Sequence, residues 1–124
     1  MRATSAGLLP SLERYGFRFG EAFDSHRGAK VTVVNRCVAV SVTADWLEGE
    51  LYVSVSAHGG PEVALAEIVD LTQAKGLALS RLRRGASVGI LEARLRKVGE
   101  VLVAQVAELL DCSPTHVERL RNHA

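Results

Sequence analysis

The stretch CVAVSVTADWLEGELYVSVSA, residues 37–57, decides the fold. Val38, Val40, Val42 and Ala44 share one parity, and Ala39, Ser41 and Thr43 share the other. Beyond the turn Asp45–Gly49 the pattern repeats, with Leu51, Val53, Val55 and Ala57 on one side and Tyr52, Ser54 and Ser56 on the other. Successive side chains of a strand point to opposite faces, so this alternation describes two strands, each buried on one face. So short a connection predicts antiparallel pairing.

Toward the N-terminus, VTVV (31–34) reads as a further strand that breaks at Asn35-Arg36. FRFGEAF (17–23) reads as another, with Phe17, Phe19 and Phe23 on one parity and Arg18, Gly20 and Ala22 on the other; His26-Arg27-Gly28 is the turn between them. Leu8, Leu9, Leu12 and Tyr15 fall at helical spacing and predict a short helix over 4–15, with Pro10 in its first turn and Gly16 as its stop.

Toward the C-terminus, His58-Gly59-Gly60-Pro61 ends the strands. Pro61 suits a helix start, and Val63, Leu65, Ile68, Val69 and Leu71 predict a helix to about Lys75, stopped by Gly76. Ser87 is a suitable N-cap for a long helix over 88–110. Its stripe is Leu91, Leu95, Val98, Leu102 and Leu109, and Gly99 is a point where it could bend. Ser113-Pro114 then starts a last short helix. Strands followed by helices predict an α+β domain spanning 1–124: an antiparallel three- to four-stranded sheet with helices packed on one face. Its expected core is Phe17, Phe19, Val38, Val40, Val42, Leu51, Val53, Val55, Leu91, Leu95, Val98 and Leu102.

Composition narrows the function classes. At 124 residues, 48% hydrophobic and 23% charged, the chain is long and apolar enough for one core. The net charge of +1 implies no general attraction to nucleic acid or membrane. The positive charge is nevertheless concentrated: residues 81–97 hold Arg81, Arg83, Arg84, Arg94, Arg96 and Lys97 against Glu92 alone. No apolar run approaches the roughly 20 residues of a membrane span, and the N-terminal residues lack a signal-peptide pattern. Cys37 and Cys112 suffice for one bridge, but no spacing pairs them; two buried free thiols in a cytoplasmic protein are the expectation.

No motif supplies chemistry. His26, His58, His116 and His123 lie outside any metal or nucleophile signature, and no Gly-rich strand-to-helix loop is present. The expectation is a protein without catalytic, metal or cofactor residues. Trp46, at the tip of the central hairpin, is a candidate partner contact, because Trp is enriched at binding hot spots. Arg81, Arg83, Arg84, Arg94 and Lys97 are candidates for an acidic partner or phosphate. The segment VAELLDCSPTHVERLR (106–121) looks like a helix-turn-helix, with Ala107 as the small packing residue and Asp111 where Gly is usual. Ser113, Thr115 and His116 would begin the recognition helix, and Arg119 and Arg121 would approach phosphates.

The layout as a whole resembles small uncharacterised actinobacterial proteins. The resemblance is carried by Leu12, Gly16 and Phe17, then Val40, Val42 and Asp45, then Glu50, Leu51 and Val53, and by a long helix ending Leu109-Leu110-Asp111. It implies an immunity-type or interaction domain and brings no catalytic residues. The expected function is therefore a non-enzymatic protein-binding module, acting on a protein partner or a second copy of itself. The alternatives are a DNA-binding regulator that uses the C-terminal segment, and an enzyme whose site is scattered through the sequence.

Overall fold

The computed structural model describes residues 5–45, 50–68 and 88–122. It is an α+β fold built on a five-stranded antiparallel meander: β1 (Arg18–Asp24), β2 (Gly28–Val34), β3 (Val38–Asp45), β4 (Glu50–Ala57) and β5 (Val63–Ala64), in that spatial order. Three helices complete it: α1 (Ser5–Leu12), α2 (Val88–Leu110) and α3 (Pro114–Arg121).

The alternation read from residues 37–57 is the register of the sheet. Val33, Val40, Val55 and Val63 lie side by side across β2 to β5, and Val31, Val42 and Val53 form the next row. Leu8 and Leu12 of α1, Leu95, Val98 and Leu102 of α2, and Val117 and Leu120 of α3 join these valines in one core. All three described helices therefore lie against the same side of the sheet. Of the expected core, Phe19, Leu51 and Val53 are only partly buried, and the Leu91 side chain lies outside the described residues.

Four local expectations are corrected. First, a bulge at Gly20 interrupts the β1–β2 register between Phe19 and Glu21. One extra residue flips the parity of everything after it. Ala22 therefore takes the inner position opposite Val31, and Phe23 swings to the outer face, 65% exposed. Gly20 suits the bulge because a Cβ there would meet Thr32 O at 2.9 Å.

Second, the residues after Pro61 do not begin a helix. Val63–Ala64 pair with Ser54 and Val55 as a short edge strand, and Leu65–Glu67 form one 3-10 turn. The open edge of β4 captures this backbone, and Val63 and Leu65 are buried there. The rest of that expectation, residues 69–76, lies outside the described residues. Third, Pro10 stands inside α1 rather than in its first turn, and the helix tightens into a 3-10 turn at Glu13–Tyr15. Fourth, α2 runs straight on through Gly99 and kinks at Val106, where φ is −129° and ψ 29°. Gly99 serves close packing: a Cβ would meet the Ser11 Cβ at 2.9 Å, and Gly7 of α1 lies as tightly against the Glu92 carbonyl. Two glycines let α1 and α2 approach backbone to backbone.

Leu102 is fully buried between α2 and the sheet. Leu102→Ala is expected to cost about 2–5 kcal/mol, as buried Leu→Ala truncations do. Chemical denaturation with an unchanged m-value checks this, and a loss under about 1 kcal/mol would show a loosely packed site.

Candidate functional site: a polar junction and an open sheet face

Asn35, at the β2–β3 turn, is buried, and its side-chain amide makes four hydrogen bonds. Nδ2 donates to Tyr15 O at 3.0 Å and to Leu110 O at 2.9 Å. Oδ1 accepts from the backbone amides of Cys37 at 3.0 Å and Val38 at 2.9 Å. Its own N–H donates to Val38 O, and its carbonyl accepts from His58 Nε2 at 2.8 Å. One side chain thus closes the β2–β3 turn and binds both the end of the α1 arm and the last carbonyl of α2. His58, an exposed turn residue, ties the β4 end to the same point.

Cys37 and Cys112 are joined as a disulfide at this junction, with Cα atoms 5.9 Å apart and 75 residues between them in sequence. This corrects the expectation of two free buried thiols. Asn35 holds the end of α2 at the β2–β3 turn, which brings the next turn, Asp111–Ser113, over Cys37. Cys112 takes the left-handed conformation, φ 63°, so it, and not Asp111, occupies the turn position where glycine is usual. A cleft of about 300 Å³ opens beside it, lined by Arg14, Tyr15, Arg36, Asp111 and Cys112 among others.

The C-terminal corner does have a helix, a tight turn and a second helix. Ser113 holds the N-cap position of α3, but its hydroxyl makes no capping bond and instead meets His116 Nδ1 at 2.8 Å. His116 Nε2 lies 2.7 Å from Glu108 Oε2. The imidazole thus bridges the Ser113 hydroxyl and the Glu108 carboxylate, which accepts from Nε2–H. That chain locks α3 against α2, and since Glu108 is 75% exposed it adds little stability. Val117 and Leu120 face the core, Thr115 and Arg119 face solvent, and Arg121 pairs with Glu118 at 2.9 Å. A larger cleft, about 580 Å³, runs between Ile68, Val106, Leu109, His116 and Arg119.

Of the other named candidates, two lie in the described residues. Lys97 is exposed and Arg94 partly exposed on α2. Trp46, Arg81, Arg83 and Arg84 lie outside the described residues. Among the described residues no group of three or more His, Cys, Asp or Glu could hold a metal ion, and no helix is long and apolar enough to cross a membrane.

The outer face of the sheet went unread as a site. One row across it is Phe23, Lys30, Thr43 and Tyr52, and the next is Glu21, Thr32, Ser41, Ser54 and Ala64. Phe23 is 65% exposed and Tyr52 50%. Glu62 lies over the hydroxyl row, 3.2 Å from Lys30 Nζ and 3.3 Å from Ser54 Oγ, while Thr32 and Ser41 hydroxyls share a 3.0 Å hydrogen bond. The hydrogen bond and charge of Lys30 hold the Glu62 carboxyl below the usual carboxylate range. Comparison with protein-family models, curated proteins and solved structures gave no match.

Two outcomes are expected. Asn35→Asp sets a carboxylate oxygen against the Tyr15 and Leu110 carbonyls, and Asn35→Ala strands both with the Val38 amide. Each should cost about 3 kcal/mol or more, at 1–3 kcal/mol per buried unpaired group. Denaturant midpoints check this; a loss near zero for both would remove Asn35 from its role. Glu62 has a depressed folded pKa, so its contribution is present above the ordinary carboxylate pKa and is lost as pH falls through the lowered one. Glu62→Gln should flatten the acid limb of the stability–pH curve, by less in high salt. An unaltered acid limb would contradict the Lys30 pairing.

Proposed function

We propose that this chain is a non-enzymatic protein-binding module whose partner docks on the outer face of the sheet. The observation that carries the reading is the pair of exposed aromatics, Phe23 and Tyr52, at the two ends of one cross-strand row. Between and beside them stand Lys30, Thr32, Thr43 and Ser54, short or flexible side chains on a flat surface. Such a face lets another sheet or helix approach to about the 10 Å of packed layers, and aromatic side chains supply most of the anchoring energy in interfaces. Arg18 and Lys30 are balanced by Glu21 and Glu62, so the face carries no positive field for nucleic acid. The partner in this reading is a toxin-like protein or a second copy of this chain.

A second reading, DNA binding by α3, is favoured by the helix–turn–helix path itself, with Cys112 left-handed and Thr115 and Arg119 exposed. Against it, Glu108 and Glu118 occupy the His116 and Arg121 side chains.

Photo-crosslinking separates these readings. A photoreactive residue is placed at position 23 or 52, at the exposed Lys97 of α2, or at Thr115 of α3, in the native cells. Docking on the sheet predicts one partner captured from positions 23 and 52 and none from 97; its peptides tell a toxin-like protein from a second copy. Phe23→Asp with Tyr52→Asp should weaken that capture at least about tenfold, as loss of a hot spot does. Capture confined to position 115, and of DNA, would establish the second reading and overturn the first.

A further inference from the structure

We propose that the Cys37–Cys112 disulfide is a thiol-exchange site for small anionic thiols, with Cys112 the sulfur attacked and Cys37 the sulfur released. Three observations converge on it.

The first is access from one side. Both cysteines are only partly buried, but Cys112 lines the cleft of about 300 Å³ and Cys37 does not. A thiol entering the cleft meets Cys112. The second is charge. Arg14 and Arg36 line the same cleft, with Asp111 as the one acidic wall residue. Arg14 is steadied by its 2.6 Å hydrogen bond to the Tyr15 hydroxyl and by the Tyr15 ring, 4.8 Å from the guanidinium carbon. Arg36 is exposed and makes no ion pair among the described residues. An attacking thiolate, or a carboxylate or sulfonate carried beside it, is drawn in by this pair.

The third is that the junction has a place for either redox state. The Cys37 sulfur lies 3.4 Å from Asn35 Oδ1. A disulfide sulfur has no proton to donate there, whereas a Cys37 thiol does. Asn35 also holds Tyr15 O, Leu110 O and the Val38 amide by itself. Opening the disulfide therefore leaves the two helix ends fastened to the sheet.

The exchange balances as follows. A thiolate attacks Cys112 Sγ, a new S–S bond forms, the Cys37–Cys112 bond breaks, and its electron pair leaves on Cys37 as thiolate, which takes a proton from water. A second thiol attacks the mixed disulfide, releases the external disulfide and leaves Cys112 reduced. The protein gains two electrons, and two external thiols become one disulfide.

The full chain, oxidised and without denaturant, is incubated with 2-mercaptoethanesulfonate or with cysteamine. Each rate is divided by that of the same thiol on hydroxyethyl disulfide. Early samples are acid-quenched, alkylated and mapped by peptide mass spectrometry. The expected result is a mixed disulfide on Cys112 with alkylation on Cys37. The normalised rate should favour the anionic thiol roughly threefold or more at low salt, as surface charges steer small ions. The preference should fall toward one in Arg36→Gln, and the dithiol form should keep a dispersed amide spectrum. A mixed disulfide on Cys37, equal normalised rates, reaction only in denaturant, or unfolding on reduction would each overturn the proposal; the last would make the bridge a structural staple.

Discussion

Asn35 converts a break between two strands into the fastening of the whole molecule. Its amide is a donor on one side and an acceptor on the other, and both capacities are filled: two carbonyls from helical ends, two amides from its own turn. An apolar residue here would leave the Leu110 carbonyl and the Val38 amide buried without a partner. The disulfide beside it adds a second fastening at the same place. A cross-link spanning 75 residues is worth about 4 kcal/mol in the chain-entropy account. Four hydrogen bonds at about 1 kcal/mol each are of similar size. The junction thus holds by two means, one covalent and the other hydrogen-bonded.

Fixing the helices at this corner sets what remains visible. With α1, α2 and α3 all committed to the inner valines, the outer rows keep hydroxyls, one Lys–Glu pair and two aromatics. Phe23 reaches that face only because Gly20 adds a residue to β1. A bulge at an edge also twists the strand away from unwanted edge pairing. The same local feature therefore protects the edge of the sheet and sets Phe23 on its outer face.

The central hairpin was legible because its signal is strictly local: Val38 to Ala44 and Leu51 to Ala57 alternate without interruption, and their pairing needs only a short turn. Gly20 defeated the same reasoning in β1, since alternation cannot announce an extra residue. Val63–Ala64 was read as helix because a two-residue edge strand has no period of its own, and its conformation is dictated by β4. Gly99 was read as a bend, whereas its missing side chain answers to Ser11, a residue of another helix. Cys37, Asn35 and Cys112 carry no local pattern at all. Their meaning lies in contacts across 75 residues, which only the folded chain brings together. The helix–turn–helix spacing was legible in 106–121, but not that Cys112 would be bridged.

Native-state hydrogen exchange at the Cys37 and Val38 amides tests the fastening most directly, because both donate to Asn35 Oδ1. If the junction holds helices to sheet, these turn amides exchange only through global unfolding, with the free energy and denaturant dependence of the Val40 and Val42 amides in the middle of β3. Exchange through a local opening, at markedly lower free energy and without denaturant dependence while β3 stays protected, would contradict it.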